Sequence, residues 1–374
     1  MRRVALLPLL ACAGLAACSD ALSPTAAARP TLARAQVTAI GASFTDLGLI
    51  PNMTESAAYG VNELGVVVGH SSVPNGAVSA FTWSPTTGMV PLVPTGAGWG
   101  NTYAFSINDG GQIAGVAINL VNQARAVVWE AGVMRELGVL PGGSYSVALG
   151  NNNSGYVVGY SRTTPTGTPH AVLYAPSGGM QDLGTLGGSE SMAEAINDLG
   201  QVVGTAGMPN GVSYAFSWTA AGGMQALPML KGAREANALG VNRLGDIVGY
   251  MVMKDNSTRA VVWPQPVPGK KGAYTDVIEL GSLARGATSA ATDINDSRTI
   301  VGYATDTRAG GSGQFIAVTW DQQARWKYNP TVLPMPAGVR VSYAQAINEG
   351  LNGAVQIAGI TATAASTKRA GMWQ

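Results

Sequence analysis

The residues best suited to recognising a ligand are large aromatic and charged side chains that follow no regular pattern along the chain. Exposed aromatic rings combined with Arg are typical of recognition surfaces. We expect these residues to lie in loops, where each also has an alternative interpretation as an ordinary solvated residue. The candidate binding residues are Trp99, Tyr103, Tyr145, Glu190, Arg234, Glu235, Arg285 and Arg340.

Motifs for catalysis are absent from the sequence, which contains no GxSxG, HExxH, P-loop or GxGxxG arrangement. His70 and His170 are the only histidines, so a His-rich metal site is excluded and a Ser/His/Asp triad would have to be assembled by the fold. A polysaccharide-cleaving enzyme would need Tyr145, Arg285 and the two candidate glutamates to lie within about 10 Å of one another. The sequence predicts no catalytic residue, no metal and no cofactor.

Five aspartates recur at equivalent places, in hairpin turns or at strand edges. An Asp at such a position accepts hydrogen bonds from backbone N–H groups that a turn leaves unpaired. We favour this role over acid catalysis or metal binding. The five are Asp46, Asp109, Asp182, Asp198 and Asp296.

All of these residues belong to a repeat that covers almost the whole chain. Its marker is an Asn that ends an apolar run, and consecutive markers lie 46, 44, 45, 45, 53 and 53 residues apart. Around Asn197, the run Asn-Asp-Leu-Gly predicts a tight hairpin turn, in which Asn bonds the backbone and Gly200 adopts a positive φ. The seven markers are Asn62, Asn108, Asn152, Asn197, Asn242, Asn295 and Asn348.

Each copy predicts four short antiparallel strands. After the turn, Val202 and Val203 favour a returning strand, a third strand carries alternating aromatics, and a fourth ends in Leu. A period near 45 residues with four strands per copy is typical of a β-propeller blade. The third-strand aromatics are Trp83, Trp129, Tyr174, Trp218, Trp263, Trp320 and Trp373.

The fourth-strand Leu reveals how the ring would close. It occurs at Leu92, Leu137, Leu183, Leu227, Leu280 and Leu333, and a seventh copy, Leu47, precedes the first Asn marker. The chain therefore starts with an unpaired fourth strand and ends with a blade that lacks one. We predict an all-β, seven-bladed β-propeller with four antiparallel strands per blade, in which the N-terminal strand closes the ring and leaves no exposed sheet edge.

Small residues before the Asn markers indicate which strand is innermost, because bulky side chains would collide where seven strands converge. Gly in the second strand, such as Gly204, would leave room for an indole ring from the neighbouring strand. The small residues predicted for the innermost strand are Ala58, Ala104, Ala148, Ala195, Ala238, Ala291 and Ala346.

Several segments resemble the bacterial extracellular HAF-repeat family, named for a His-Ala-Phe tripeptide in the third strand. The segments are residues 170–172 (HAV), 182–189 (DLGTLGGS) and 195–204 (AINDLGQVVG). The resemblance implies a secreted repeat protein and carries no established reaction. Only His170 keeps the family histidine, so any chemistry that depended on it would be lost from the other six copies.

The N-terminus predicts export. Residues 1–17 have a basic start and an apolar stretch typical of a signal peptide, and Leu-Ala-Ala-Cys at 15–18 resembles a bacterial lipobox. The resemblance implies that Cys18 is lipidated, and Ser19 is similar to the outer-membrane-directed type. The alternative is a plain secretory signal with a chance cysteine. We expect a flexible tether over residues 18–40 and the propeller over 41–374.

Composition agrees with this architecture and limits the partners. Charged residues make up 11 % of the chain and its net charge is +1, which argues against binding nucleic acid. Fifty Gly and twenty Pro argue against substantial helix. We expect a monomer, attached to the membrane only through its lipid.

Two functions are consistent with the sequence. The first is a surface-tethered, non-catalytic binding or scaffold module that recognises a glycan, a peptide or another envelope protein with one propeller face. The alternative is a polysaccharide-acting hydrolase or lyase with its site at the mouth of the channel, an idea that rests on fold analogy.

Overall fold

The computed structural model describes residues 43–374 except 75, 267–273, 285, 308–312, 325–326, 351–353 and 364–366. These residues form seven antiparallel sheets of four strands each. The predicted seven-bladed propeller is thereby confirmed. The predicted signal peptide, Cys18 and the predicted tether lie outside the described residues.

Blades 1 to 6 each contain four consecutive strands. Blade 1 contains β2 (Glu55–Val61), β3 (Val67–Ser72), β4 (Val78–Ser84) and β5 (Gly88–Pro91). Blade 2 contains β6 (Trp99–Ile107), β7 (Ile113–Asn119), β8 (Ala124–Glu130) and β9 (Val133–Gly138). Blade 3 contains β10 (Ser146–Asn151), β11 (Val157–Arg162), β12 (Pro169–Tyr174) and β13 (Met180–Asp182). Blade 4 contains β14 (Ser191–Ile196), β15 (Val202–Gly207), β16 (Ser213–Thr219) and β17 (Gly223–Ala226).

The last three blades complete the ring. Blade 5 contains β18 (Ala233–Val241), β19 (Ile247–Met253), β20 (Thr258–Trp263) and β21 (Ile278–Glu279). Blade 6 contains β22 (Ser289–Ile294), β23 (Ile300–Thr305), β24 (Phe315–Ala324) and β25 (Lys327–Val332). Blade 7 contains β26 (Val339–Ile347), β27 (Ile357–Thr363), β28 (Lys368–Trp373) and, from the start of the chain, β1 (Phe44–Asp46).

Blade 7 closes as predicted. Strand β1 pairs antiparallel with β28, with Phe44 opposite Trp373. The backbone N–H of Leu47 donates to Ala370 O at 3.0 Å, matching the bond from Leu227 to Ala215 in blade 4. The Phe44 ring packs edge-on against the Trp373 indole, with centroids 5.3 Å apart. The leading segment therefore supplies the strand that the tail lacks.

The first strand of each blade is the innermost, because it contacts the first strands of both neighbouring blades around a closed circle. The face where these strands begin is here called the front face, and the face where they turn into the second strands is the back face. The Asn markers lie in those back-face turns. As predicted for the turn in blade 4, the Asn197 side chain accepts a bond from Leu199 N, and Gly200 has a φ of 76°.

The seven Asn side chains form a ring of hydrogen bonds that the sequence did not predict. Each side-chain N–H₂ group donates to the backbone carbonyl of the Asn in the next blade, at 2.8 to 3.2 Å. The last bond runs from Asn348 back to Asn62. Each Asn Oδ1 also accepts a backbone N–H of its own turn, as Asn197 does from Gln201 at 3.0 Å. One residue type thus shapes each turn and joins each blade to the next.

The alanine assignment needs a correction. The equivalent inner-strand alanines all lie four residues before the Asn, so Ala193 and Ala344 replace Ala195 and Ala346 in the predicted set. Ala195 and Ala346 lie two residues before the Asn, where neighbouring inner strands approach most closely. A Cβ added at Gly150, at that same place in blade 3, would lie 2.9 Å from Glu194 O. The first place carries Ala in every blade, and the second carries Gly, Ala or Ser in every blade but the sixth, where Asp293 is buried and accepts a bond from Ile347 N of blade 7.

The third-strand aromatics are buried as predicted and also join blades. The Trp263 indole N–H donates to Pro228 O of the preceding blade at 2.8 Å, and Trp373 donates to Pro334 O at the same distance. A Cβ at Gly204 would lie 2.0 Å from Met192 O, and one at Gly359 would lie 2.1 Å from Tyr343 O, so it is the inner-strand backbone that requires Gly in the second strand. The predicted room for an indole is seen at Gly359, where that Cβ would also lie 2.8 Å from the Trp373 ring, but the atoms nearest to Gly204 are all backbone. None of the residues that the structure describes forms a helix of the length and apolarity needed to cross a bilayer.

The Asn ring leads to a stability prediction. Asn197 is 1 % exposed, so Asn197→Ala leaves Asn242 O and the amides of its own turn without their partners. We expect the free energy of unfolding to fall by about 1–3 kcal/mol, measured by chemical denaturation. Asn329→Ala, at an exposed position of β25, serves as the control and should change it by less than about 0.5 kcal/mol. Equal effects of the two substitutions would contradict the role given to the ring.

Candidate functional site

One hydrophobic cluster is unlike the others. The other seven clusters each join two adjacent blades. The eighth contains Tyr59, Tyr103, Phe105, Leu149 and Tyr160 and extends through partly buried neighbours to five consecutive blades, 7, 1, 2, 3 and 4. Residues from so many blades meet only around the axis of a propeller. This cluster therefore lines the axis.

A β-bulge in every inner strand places one residue toward that axis. In blade 3, Ala148 pairs with Gly159 and Gly150 with Val158, so Leu149 is the extra, unpaired residue. Bulges re-aim a side chain in this way. In blades 1 and 2 the bulge residues Tyr59 and Phe105 contact each other edge-to-face, with centroids 5.8 Å apart. The seven bulge residues, here called the axial layer, are Tyr59, Phe105, Leu149, Glu194, Leu239, Thr292 and Gln345.

Aromatic rings continue from the axial layer toward the front face. His70 stacks on Tyr59 at 5.4 Å and meets Tyr103 of the next blade edge-on at 5.0 Å. In blade 3, Tyr145 stacks on Tyr160 at 6.0 Å. Burial lowers the pKa of His70 to about 4, so its imidazole is neutral near pH 7. These residues are here called the aromatic arc, which consists of Tyr59, His70, Tyr103, Phe105, Tyr145 and Tyr160.

In blade 3, the arc ends beside two charged side chains, Arg162 of blade 3 and Glu194 of blade 4. The Arg162 guanidinium lies 5.3 Å above the Tyr145 ring centre. Burial, the hydrogen bond with Tyr145 and the nearby Glu194 carboxylate raise the pKa of Tyr160 well above its usual range. Desolvation raises the pKa of Glu194 to about 7, and its Oε2 is buried without a hydrogen-bond partner. A carboxyl group with such a pKa can either donate or accept a proton near neutral pH.

A second set of rings lies in blades 6 and 7. Tyr303 contacts Phe315 and Tyr343 edge-on, with centroids 5.3 and 5.0 Å apart. Tyr303 and Tyr343 occupy the same strand places as Tyr160 in β11 and Tyr103 in β6. Aromatic side chains therefore occur on both sides of the axis near the front face.

The structure brings only two of the eight predicted binding residues into this arrangement. Tyr103 is buried within the arc, and half-buried Tyr145 forms its front-face end. Trp99 is half-buried at the start of β6, and Glu190, Glu235 and Arg340 are exposed near the front-face ends of β14, β18 and β26.

The other two predicted binding residues are Arg234 and Arg285. Arg234 donates to Met253 O and to the Asn256 side chain within its own blade, and Arg285 lies outside the described residues. Five of the eight residues lie in strands, although we expected them in loops, because the inner strands of blades 2, 5 and 7 extend further toward the front face. These five are Trp99, Tyr103, Arg234, Glu235 and Arg340.

Sequence reasoning missed Glu194, Tyr160, Arg162 and the position of His70. His70 lies within β3 and stacks on an aromatic ring, a position that the sequence pattern does not indicate. The sequence does distinguish Glu194 from the equivalent residues of the other copies. Glu194 is the only carboxylate among the seven residues that lie three places before an Asn marker. Comparing copies position by position within the strands, and not only in loops, would have found it.

The back face carries acidic side chains with a structural role. Five of the seven residues directly after the Asn markers are acidic, and each of the five accepts a backbone N–H group from the preceding blade. Asp198 accepts from Asn153 and Asp109 from Glu63, both at 2.9 Å. Burial is the main cause that raises the pKa of Asp198 to about 6. Asp296 likewise accepts Arg243 N. The predicted role of these aspartates as acceptors of backbone bonds is confirmed.

The family-type histidine has a structural partner at the outer edge of its blade. His170 Nδ1 lies 2.9 Å from an Asp182 carboxylate oxygen. At the equivalent place in other blades, Arg125 pairs with Glu136 and Arg259 with Glu279. What recurs is a third-strand basic side chain beside an outer-strand carboxylate, away from the axis. Loss of the histidine from the other copies therefore removes no shared axial chemistry.

A concave surface also exists on the back face between blades 4 and 5. It is a cavity of about 550 Å³ lined by neutral groups, including Gln201, Gln265 and Tyr274. Gln201 Nε2 donates to the Tyr274 hydroxyl at 2.7 Å, and this hydroxyl is also bonded to Gly245 O. These polar groups satisfy one another. Within the described ranges, no group of three or more His, Cys, Asp or Glu is arranged to hold a metal.

Comparison with known proteins supports the fold alone. No family model matches the chain, and no curated protein matches it. The chain is similar in structure to virginiamycin B lyase from Staphylococcus aureus, with 9 % identity, a TM-score of 0.52, and coverage of 89 % of this chain and 99 % of that one. It is similar to the β-propeller domain of the Trilobed protease from Pyrococcus furiosus, with 10 % identity, a TM-score of 0.54, and coverage of 86 and 96 %.

A third similar structure is that of puromycin hydrolase, with 13 % identity and a TM-score of 0.54. The chain is covered over 83 % of its length but spans only 50 % of that enzyme. At such low identities, the similarities establish a propeller and carry no residue of the site from one protein to another.

The environment of Glu194 generates a pH prediction. Its folded pKa of about 7 lies above the ordinary 4.5, so the wild-type protein loses stability as pH rises through the window between these values. E194Q removes this dependence. We expect its free energy of unfolding to exceed that of the wild type by on the order of 2 kcal/mol at pH 8 and to match it near pH 4. Chemical denaturation at several pH values measures this, and a difference that does not vary with pH would contradict it.

Proposed function

We propose that the protein is an exported, lipid-anchored binding module that recognises a glycan through its front face. The single observation that carries the proposal is the aromatic arc, which runs from the axial layer to the half-buried Tyr145 beneath Arg162. Flat aromatic faces pack against the apolar faces of sugar rings, while hydroxyl and guanidinium groups bond their rims. A peptide or another envelope protein is the alternative ligand.

The arrangement suits binding because its groups are held in place before a ligand arrives. Tyr103 and Tyr160 are buried and supported by neighbouring rings, so little side-chain entropy remains to be lost. Tyr145 and Arg162 are half-buried and support each other through a cation–π contact at 5.3 Å. Rigid aromatic anchors beside an Arg are common in binding surfaces.

The cellular context is part of the proposal. The signal peptide over residues 1–17, the lipobox ending at Cys18 and the tether over 18–40 would place the propeller at the outer membrane, on the side reached after export. Membership of the HAF-repeat family, suggested by residues 170–172, 182–189 and 195–204, would agree with an extracellular role.

A second candidate function is a polysaccharide-acting hydrolase or lyase. The observation that favours it is Glu194, which interacts with Tyr160, has a pKa raised by burial to about 7, and has one carboxylate oxygen, Oε2, without a hydrogen-bond partner. A carboxyl group with that pKa is suited to general acid–base work. The names of virginiamycin B lyase and puromycin hydrolase indicate that similar structures belong to enzymes. Turnover of a glycan that E194Q abolishes would favour this candidate.

Binding by the arc is tested with a glycan array followed by calorimetry on the best ligand. We expect Tyr145→Ala to weaken binding at least about tenfold, because a buried aromatic anchor typically contributes more than about 1.4 kcal/mol. The control is Tyr156→Ala, which removes an exposed tyrosine (37 % exposed) that follows the blade 3 turn on the back face. Equal affinities of wild type and the Tyr145 variant would contradict the assignment.

Lipid anchoring is tested by substituting Cys18. The variant Cys18→Ser removes the sulfur that would be acylated, so we expect the protein to leave the membrane fraction and become soluble after export. Cell fractionation with and without detergent measures this. A Cys18→Ser protein that still requires detergent for release would overturn the lipoprotein assignment.

A further inference from the structure

Three buried polar atoms without hydrogen-bond partners lie around the axis. They are His70 Nδ1, Glu194 Oε2 and Gln345 Oε1. Glu194 and Gln345 belong to the axial layer, and His70 stacks on Tyr59 of that layer. The other two such atoms among the described residues, Trp129 Nε1 and Tyr328 Oη, belong to the outer strands of their blades. Buried polar atoms are rarely left unpaired, so the three axial atoms call for a partner.

All three atoms are suited to accepting hydrogen bonds. A carboxylate oxygen and an amide oxygen only accept when unprotonated. His70 is neutral, and its Nδ1 accepts when the ring proton is on Nε2. Glu194 and His70 are half-buried, so each side chain still reaches solvent while its unpartnered atom does not. A partner for these three atoms must therefore carry several hydrogen-bond donors and be small enough to reach the axial layer.

The surroundings favour a positive charge on that partner. Tyr59 and Tyr103 pack against the His70 ring and Tyr160 interacts with Glu194, and tyrosine faces attract cations. Tyr160 interacts in turn with Tyr145 and Arg162 of its own blade, and Arg162 is held over Tyr145. Desolvation is the cause that raises the pKa of Glu194. An ammonium group beside the carboxylate would compensate this loss of solvation, whereas a neutral hydroxyl would do so less well.

We propose that the axial layer beside the aromatic arc binds a protonated primary amine of the ligand, with the Glu194 carboxylate as its counter-ion, and that Gln345 and His70 are acceptors for other donors of the same ligand. The inference rests on the proposed glycan-binding function and specifies it: the preferred sugar carries a free amino group. Arg162, at the front-face end of the arc, is left to bond hydroxyl groups of the rest of the chain.

The test uses two tetrasaccharides that differ only in the amine. One is β-1,4-linked glucosamine, whose amines are protonated at pH 6, and the other is its N-acetylated counterpart, which is neutral. Calorimetry on the full-length protein should show at least about tenfold tighter binding of the glucosamine form, a difference of about 1.4 kcal/mol. At pH 6 its binding should also release protons, seen as a dependence of the enthalpy on the buffer, because the amine makes Glu194 ionise.

Matched variants separate the amine site from the rest of the surface. E194Q should lose both the preference and the proton release, while keeping weak binding of either sugar. D276N, which neutralises an exposed carboxylate in the loop between β20 and β21, should keep both. Thermal melting of each variant shows that the fold is retained.

The outcomes distinguish this inference from the function on which it rests. Equal binding of the two tetrasaccharides, or a preference that survives in E194Q, overturns the amine site but leaves glycan binding intact. Binding of neither tetrasaccharide also overturns the amine site. The proposed function itself fails only if the glycan array shows no binding or if Tyr145→Ala has no effect on it.

Discussion

The structure depends on closing a ring of blades, because a single blade would not be stable alone. A four-stranded blade leaves both faces and both edge strands unsatisfied, and only neighbouring blades can cover the faces. Three interactions between blades recur around the ring. The Asn side chains join the back-face turns, third-strand indoles bond the preceding blade, and Ser or Thr hydroxyls of inner strands accept third-strand amides, as Ser191 does from Ala171. All three link a blade to one neighbour, so each gains its full effect only if the circle closes.

The same closure creates the candidate site. Seven inner strands around one axis leave little room at their closest approach, where Gly60, Gly150 and Gly240 lie against backbone of the next blade. The bulge one residue earlier turns a larger side chain toward the axis. Because the repeat fixes the backbone there but not the side chain, the axial layer is free to vary from Tyr59 to Glu194. Function can therefore change at the axis while the Asn ring and the third-strand contacts that join the blades stay the same.

Much of the fold is readable from the sequence because its determinants are local and repeated. Asn197 and Gly200 mark a turn wherever they recur, and Leu47 revealed the closing strand because the same Leu ends six other fourth strands. The site is harder to predict. Glu194 and Tyr160 lie in different strands of adjacent blades, and their proximity follows from the bulge and from the packing of blades. Strict alternation of side chains along a strand takes no account of the bulge at Glu194. The position of Glu194 at the axis is therefore not evident from the sequence.

Residue type also predicts too many loop positions. The sequence predicts loop positions for Arg234 and Glu235, but β18 begins at Ala233 and includes both. It predicts an exposed ring for Tyr103, yet Tyr103 is 8 % exposed and packs between His70 and Phe105. Polar or aromatic type alone does not reveal exposure where strands converge, because the axis of a propeller is buried and yet contains side chains that elsewhere would face solvent.

The central claim is that the leading segment closes the ring. Hydrogen exchange of residues 43–50, followed by mass spectrometry on the intact protein, tests it most directly. In a closed ring, Leu47 N–H is bonded to Ala370 O at 3.0 Å and Leu47 is 4 % exposed, so this segment should exchange as slowly as the middle strands of the blades. Complete exchange within seconds, while those strands remain protected, would show that the strand is not held in blade 7 and would contradict the account.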